Sequence, residues 1–277
     1  MSDSSLAQCR STQQQAGVVG FERTLPREWV HRQAIAEVLL TDYARAGEDT
    51  FLIGAQWPRR HGMYSPDRLG RHDPSLLLES VRQAGILLAT RCFDVPADHP
   101  LVLKDLSCTI TALSALDVGT TPADILLSVE LNEQRFTRNA LAGMRLNVQA
   151  YRRGQAVATA SGSMSCLTPK AHARLRASHR AAASLPRQGE ARVATDARVP
   201  PNRVGRTLSD DVLITEPVTL EQTLVFDVRV DTTHPTLFDH PLDHLPGMLQ
   251  LEAIRQAALY TATAGGRAAQ SIVTWST

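Results

Sequence analysis

The sequence predicts an α+β protein made of two similar units, each with one central helix wrapped by an antiparallel sheet. Two observations support this fold class. Two blocks from the first half of the chain return in its second half, and a helix that is apolar on most faces precedes a series of long strands that ends in a hairpin. One buried helix followed by antiparallel strands is typical of an α+β layer arrangement.

The repeat is clearest around the predicted helix. Leu76–Ala84 (LLLESVRQA) returns as Leu249–Ala257 (LQLEAIRQA), so that Glu79 corresponds to Glu252. A second block, Glu37–Thr41 (EVLLT), returns as Asp211–Thr215 (DVLIT) at almost the same separation. The separations of the two blocks differ by one residue, which a loop between the blocks can accommodate. Because the period is too long for a solenoid, we infer a tandem duplication of a whole unit.

Cap and turn signals define the elements expected in the first unit. Asp73-Pro74 is a typical helix start, with Asp as the N-cap and Pro at the first helical position, and the helix should run to Ala89. Arg153-Gly154 should form a hairpin turn. The strands are expected at residues 101–113, 123–136, 143–152 and 155–167.

The second unit is expected to be shorter than the first. It should contain a strand at 222–230, a loop at 231–245 and a helix at 246–263, and the sequence stops at Thr277, soon after this helix. We therefore expect a truncated second unit. The resulting division is a disordered N-terminal tail (1–25), a first unit (26–169), a linker rich in Ala, Arg and Pro (170–203) and an incomplete second unit (204–277).

The composition excludes several classes of function. The 29 Lys and Arg residues nearly balance 28 Asp and Glu residues, so no overall field favours nucleic acid or a membrane surface. The four cysteines lack CxxC spacing, which argues against a disulfide framework or a metal site. With no signal sequence or apolar span, we expect a cytoplasmic protein without metal or cofactor.

The repeated helix carries a polar trio on an apolar background. Glu79, Arg82 and Gln83 project from one helix face, because residues three and four apart are neighbours there. A solvated ion pair would be the ordinary interpretation. However, burying an ionised pair costs several kcal/mol, and the trio recurs as Glu252, Arg255 and Gln256. The recurrence favours a functional site.

The stretch from His240 to Ala258 (HPLDHLPGMLQLEAIRQAA) resembles the helix signature of hotdog-fold proteins, Pro-Gly-x-Leu-x-Leu-Glu-Ala-x-x-Gln-Ala-Ala. In hotdog dehydratases the Glu is catalytic and pairs with a His from the preceding loop, but Arg three residues after the Glu is not their pattern. With the duplication, the Asp-His-Pro-Leu-Asp-His run and the Val-His-Arg start of the first unit, the chain is similar to the A-factor biosynthesis (AfsA-like) family. The resemblance covers about Val30 to Ala264.

The resemblance implies a tandem (double) hotdog that acts as an acyltransferase. Family members transfer a β-ketoacyl group from an acyl carrier protein, or from CoA, to dihydroxyacetone phosphate on the way to γ-butyrolactone or furan signals that control secondary metabolism. A homodimer is compatible with it. Glu79 and Glu252 would be the general bases if burial raises their pKa values toward neutrality. Arg82 and Arg255, helped by Gln83 and Gln256, would bind substrate by holding the phosphate.

Two further groups complete the expected site. The helix N-termini near Ser75 and near Gly247-Met248 could donate to the thioester oxyanion. Loop histidines could serve as acid-base partners of the Glu residues. The candidates are His61 and His234, which match each other in the repeat, and His240, which lies closest to the position of the dehydratase His but has Asp67 as its counterpart.

Two alternatives remain open at this point. The first is a hotdog dehydratase or thioesterase that acts on acyl thioesters. The second is a truncated, non-catalytic hotdog that serves as a binding or regulatory protein, because an incomplete second sheet would leave apolar surface exposed.

Overall fold

The computed structural model describes residues 18–182, 197–220, 223–242, 244–264 and 275–276. The chain forms two compact units. One consists of residues 1–166 with 274–277, and the other consists of residues 167–273. Within the described residues, every helix is too short or too polar to cross a membrane.

The first unit is one long helix packed against an antiparallel sheet. The helix is α1 (Ser75–Arg91). The strands are β1 (Leu40–Arg45), β2 (Thr50–Trp57), β3 (Leu101–Ile110), β4 (Ala123–Thr137), β5 (Ala140–Arg152) and β6 (Gln155–Cys166). They lie in the order β1-β2-β4-β5-β6-β3, with the two residues of β9 (Trp275–Ser276) added beside β3. This arrangement confirms the α+β class and the antiparallel sheet.

Helix α1 forms the centre of this unit because nearly all of its faces are apolar. Of its 17 residues, 14 are buried. The helix begins at Ser75, one residue after the expected start at Pro74, and Oδ1 of Asp73 accepts the amide of Ser75 at 2.8 Å. Gly85 allows close approach to β6, because a Cβ there would overlap with Cε of Met164.

The strands show the alternation that a sheet with one covered face requires. Along β4 the side chains of Ala123, Ile125, Leu127, Val129 and Leu131 are buried, and most of the residues between them are more exposed. Each fully buried Leu or Val contributes about 1.5–3 kcal/mol of hydrophobic stabilisation. The core of the first unit therefore lies between α1 and this face of the sheet.

The hairpin between β5 and β6 is confirmed where the sequence placed it. Arg152 pairs with Gln155, and the two turn residues both have positive φ, 51° at Arg153 and 76° at Gly154. Such angles at both positions are typical of a type I′ turn.

The second unit contains fewer strands among its described residues. Its helices are α2 (Pro169–Ala182) and α3 (Gly247–Ala264), and its strands are β7 (Val218–Leu220) and β8 (Thr223–Val225). Helix α3 agrees with the expected range, whereas the long strand expected at 222–230 is reduced to the three residues of β8.

Two boundaries expected from the sequence need correction. The linker at 170–203 begins inside a helix, α2, whose Ala- and Arg-rich sequence favours helix without an apolar stripe. The segment 18–25, assigned to a disordered tail, is packed onto the first unit. Val19 and Leu25 are buried there, and the amide of Leu25 donates to the carbonyl of Leu40 at 2.9 Å. Residues 1–17 of that tail lie outside the described residues.

Candidate active site

The carboxylate of Glu79 on α1 is buried and surrounded by donors. Arg32 donates to its Oε1 through Nε (3.2 Å) and Nη2 (2.7 Å). Arg82 forms a bidentate pair with it, Nε to Oε2 and Nη2 to Oε1, both at 2.8 Å. Gln83 donates to Oε1 at 2.7 Å. Two guanidinium groups therefore hold one carboxylate that is 1% exposed.

Gln83 also ties the helix to the segment that leads into β1. Its Oε1 accepts the amide of Leu39 at 3.0 Å, and its Nε2 donates to the carbonyl of Glu37 at 2.8 Å. Together with Arg32, this side chain fixes the residues before β1 against one face of α1.

The second unit repeats this arrangement on α3 with the corresponding residues. Glu252 accepts from Arg206 at 2.8 and 2.6 Å, from Arg255 at 2.8 and 2.8 Å, and from Gln256 at 2.6 Å. Gln256 in turn bonds the amide of Leu213 and the carbonyl of Asp211. We call each set, the Glu with its two Arg and its Gln, a carboxylate cluster.

The charge state of the two Glu residues corrects one expectation. Burial alone would raise the pKa of Glu79, but the charges of Arg32 and Arg82 outweigh it and hold the pKa well below its usual range. The pKa of Glu252 is lowered against burial in the same way by Arg206 and Arg255. The expectation that burial raises these pKa values toward neutrality is wrong, because it omitted the second Arg.

The two helix arginines have similar exposure but different hydrogen-bond partners. The side chains of Arg82 and Arg255 are 19% and 17% exposed. In the described part of the chain, Arg82 hydrogen bonds to Glu79 through Nε and Nη2, which leaves the Nη1 edge for another partner. Arg255 additionally donates to the carbonyl of Val204 at 3.1 Å.

His61 and His234 have matching positions inside the fold. Nδ1 of His61 accepts the amide of Tyr64 at 3.2 Å, and its Nε2 lies 3.4 Å from Glu37. Nδ1 of His234 accepts the amide of Leu237, and its Nε2 lies 3.2 Å from Asp211. Because Nδ1 accepts, the proton belongs on Nε2 in each ring. Both nitrogens are used within the fold, which argues for a structural role.

His240 is arranged differently. Its Nδ1 lies 2.6 Å from Oδ1 of Asp239, and its side chain is 27% exposed, whereas that of Asp239 is 1% exposed. This contact places the proton on Nδ1 and leaves Nε2 as an acceptor, with no partner for it among the described residues. A carboxylate that orients an accessible imidazole is the arrangement of a general base.

The helix N-termini also differ. The amide of Ser75 already donates to Asp73, so it is not available as an oxyanion donor. At the start of α3, the amides of Leu249 and Gln250 donate to the carbonyl of Pro246. Gly247 and Met248 precede them in the first turn, where helix amides lack intrahelical acceptors. The described residues provide no backbone acceptor for these two amides.

Sequence reasoning missed four of the residues at these sites: Arg32, Arg206, Glu37 and Asp211. A signal for them was present. Arg32 corresponds to Arg206 in the repeat and Glu37 to Asp211, at one common separation. An Arg and an acidic residue that recur together could have been assigned to the same sites as Glu79 and Glu252.

A central helix against an antiparallel sheet, with a buried acidic residue on the helix, defines a hotdog-class protein. The hotdog domain model of A-factor biosynthesis proteins (AfsA) matches residues 13–168 and 188–272. The chain therefore belongs to the A-factor biosynthesis hotdog family, as the sequence motifs indicated.

Its relatives share one name, 2-oxo-3-(phosphooxy)propyl 3-oxoalkanoate synthase. The protein of Streptomyces virginiae is 40% identical over 240 residues, which are 85% of this chain and 76% of that protein. Those of Streptomyces griseus and Streptomyces coelicolor are 33% and 32% identical, covering 86% and 84% of this chain and 76% and 71% of their own lengths. The solved structure of AziG from S. sahachiroi has 15% identity and a TM-score of 0.35, over 52% of this chain and 98% of AziG, which is too weak to add to the argument.

Proposed function

We propose that this protein transfers a 3-oxoacyl group from a thioester to the primary hydroxyl of dihydroxyacetone phosphate. The name shared by its relatives is the main support. A 2-oxo-3-(phosphooxy)propyl 3-oxoalkanoate is the ester of a β-keto acid with dihydroxyacetone phosphate, so the reaction joins those two parts. The donor is a carrier-protein or CoA thioester, and the ester is a precursor of a γ-butyrolactone or furan signal.

For a site within the second unit, the base in this proposal is His240, oriented by Asp239. Nε2 of His240 takes the proton of the acceptor hydroxyl as its oxygen attacks the thioester carbonyl. The C–S bond then breaks, and the proton passes from Nε2 to the leaving thiolate. The amides of Gly247 and Met248 stabilise the oxyanion formed in between. The accessible Nε2 and the position of these amides at the start of α3 support these assignments.

For a site within the first unit, the phosphate of the acceptor is assigned to Arg82. A phosphate needs a fixed, permanently charged group with spare donors, and Arg82 keeps its Nη1 edge available while Glu79 holds the other edge. Arg255, which also bonds Val204, is the weaker candidate. Gln83 and Gln256 hold the clusters together and so act as positioning residues.

Glu79 and Glu252 become positioning residues in this proposal. A carboxylate with a strongly lowered pKa is a weak base, and each is fully occupied by two guanidinium groups. Their role is to fix the arginine that faces them. His61 and His234 likewise fix loops rather than move protons, because both ring nitrogens of each have partners.

At the level of the fold, we propose that the chain is a tandem double hotdog. The family model matches two separate segments, and the carboxylate cluster occurs once in each unit.

Incubation of the purified chain with a 3-oxoacyl thioester and dihydroxyacetone phosphate tests the reaction. We expect one equivalent of free thiol and the phosphorylated keto ester by mass spectrometry. Thiol release that does not depend on the acceptor would identify a thioesterase, and formation of an enoyl thioester from a 3-hydroxyacyl thioester would identify a dehydratase. Either result would contradict the proposal.

A further inference from the structure

Three arginines, Arg59, Arg152 and Arg153, lie around the loop that connects β3 to β4, at the end of the first unit where α1 begins. Backbone carbonyls of this loop accept hydrogen bonds from Arg59 and Arg152. Nη1 of Arg152 donates to the carbonyls of Ala115 (2.5 Å) and Asp117 (2.7 Å), and Nε of Arg59 donates to that of Gly119 (3.0 Å). These contacts fix the position of the loop and of the Arg152 guanidinium group.

Two of the guanidinium groups face the same point. A Cβ placed on Gly119 would lie 3.8 Å from Nη2 of Arg152 and 3.9 Å from Nη2 of Arg153. Among the described residues, neither arginine forms an ion pair with a carboxylate, and the nearby Asp117 pairs with Arg71 instead, at 3.6 Å. Two like charges therefore converge beside a residue that has no side chain.

The field of this pair is compensated only in part, because the charge of Asp117 raises the pKa of Arg152 by less than burial and Arg153 lower it. Burial first, and then the charge of Arg153, lower the pKa of Arg152. The charge of Arg152 also reaches His72, a buried residue just before α1, and adds to the effect of burial in lowering its pKa to about 4. An anion bound between the two guanidinium groups would relieve this repulsion.

The arginine pair lies between two open grooves. One, of about 360 Å³, is lined by the loop and by both arginines with Gln155. The other, of about 240 Å³, lies across the β5–β6 turn and adds the aromatic side chains of Phe21 and Tyr151. An anion at the pair could thus belong to a longer molecule that continues along a groove.

We propose that Arg152 and Arg153 bind the phosphate of the pantetheine arm that carries the acyl donor. This assignment rests on the proposed function, which requires a thioester donor. Both possible donors, CoA and a carrier protein, bring a phosphate ester at the far end of a pantetheine arm. An exposed arginine on a hairpin turn suits a phosphate that must stay near the surface, because a carrier protein cannot enter the fold.

The first test replaces Arg153, which makes no hydrogen bond that the loop needs. Asn tolerates the left-handed backbone at this position, so Arg153→Asn should preserve the turn. Arg138→Asn is the matched control, since Arg138 is an exposed arginine with φ 53° in the β4–β5 hairpin turn. We expect Arg153→Asn to raise KM for phosphate-bearing donors about tenfold or more, and Arg138→Asn to leave it unchanged.

The donors in this test are the 3-oxoacyl thioesters of carrier protein, CoA, pantetheine 4′-phosphate and N-acetylcysteamine, the last of which has no phosphate. KM for N-acetylcysteamine thioester and KM for dihydroxyacetone phosphate should not change in Arg153→Asn. An equal loss with all four donors, no loss with any, or a loss confined to the acceptor would overturn the proposal. A loss with pantetheine 4′-phosphate thioester and with just one of the two larger donors supports it and identifies the donor, whereas a loss confined to the carrier protein or to CoA would overturn it, because the contact would then lie outside the phosphate.

A second variant tests the site without removing an arginine. Gly119→Asp would place a carboxylate between the two guanidinium groups, where it competes with the phosphate, and Gly119→Asn is its uncharged control. We expect KM for the phosphate-bearing donors to rise about tenfold in the Asp variant compared with the Asn variant. Equal KM values in the two would contradict the site. If wild-type protein turns over none of the donors, the proposed function fails, which is distinct from a failure of this site.

Discussion

The two carboxylate clusters are nearly identical, but the segments around them are not. Each cluster has a Glu on the helix, two arginines and a glutamine with matching contacts. Helix α1 is covered on almost all faces, whereas α3 exposes residues such as Ile254. Only the second unit has the Asp239–His240 pair, and only the first has an Arg whose contacts within the described residues are confined to the carboxylate.

This comparison suggests what each part is for. The contacts that recur in both units fix the segment before the first strand against a helix, so they are required by the fold. The contacts that occur once are the better candidates for chemistry. Recurrence of a buried polar group within one chain is therefore evidence of a structural requirement before it is evidence of catalysis.

Removal of a cluster carboxylate should produce the largest effect on stability. Glu79→Gln leaves Arg32 and Arg82 buried without a counter-charge, and we expect a loss of about 3–5 kcal/mol of unfolding free energy. The loss in Glu252→Gln should be similar, because Arg206 and Glu252 are as buried as Arg32 and Glu79. Urea denaturation of both variants measures this. A much smaller loss in Glu252→Gln would mean that the lower cover of α3 weakens the second cluster.

Replacement of His240 should have the largest effect on catalysis alone. We expect His240→Gln to lower kcat about 100-fold, the usual contribution of a general base, while the urea midpoint stays within error. Asp239→Asn should lower kcat less, because it disturbs only the orientation of the ring. Wild-type kcat in His240→Gln would remove this residue from the mechanism and leave the second unit without an identified base.

A buried histidine distinguishes the two units in their response to pH. His72 is 2% exposed, and its pKa is lowered to about 4, whereas the matching residue of the second unit is the exposed Leu245. Below pH 6.5 His72 is protonated in the unfolded chain but stays neutral in the folded chain until about pH 4. The free energy of unfolding should therefore fall as the pH falls toward 4. Between pH 7 and 5 we expect a loss of about 1–2 kcal/mol, absent from His72→Leu. The same pH dependence in the variant would assign the loss to other groups.

The smallest effects are expected at the two matched histidines. His61→Gln and His234→Gln each lose one contact to a carboxylate and one to a backbone amide, which should cost about 1 kcal/mol of stability. Neither should change kcat. A large loss of kcat in either variant, with an unchanged urea midpoint, would restore the catalytic role that the sequence suggested.

Local signals explain what the sequence predicted well. The Asp73 cap, the apolar faces of α1 and α3, and the Arg153-Gly154 turn depend on residues close together in the chain. The charge state of Glu79 could not be obtained in this way, because it depends on Arg32, which lies far from it in the sequence. Helix α2 was missed for another reason. It is exposed along most of its described length, so no apolar periodicity marks it.

The most direct test of the account compares two acceptors, dihydroxyacetone phosphate and dihydroxyacetone, with wild-type protein and Arg82→Gln. If the first carboxylate cluster holds Arg82 for the acceptor phosphate, the variant should lose about 100-fold in kcat/KM with the phosphorylated acceptor and almost nothing with the other. Arg255→Gln should keep the preference for phosphate. An equal loss of kcat/KM with both acceptors in Arg82→Gln would contradict the account, because the arginine would then serve the fold and not the phosphate.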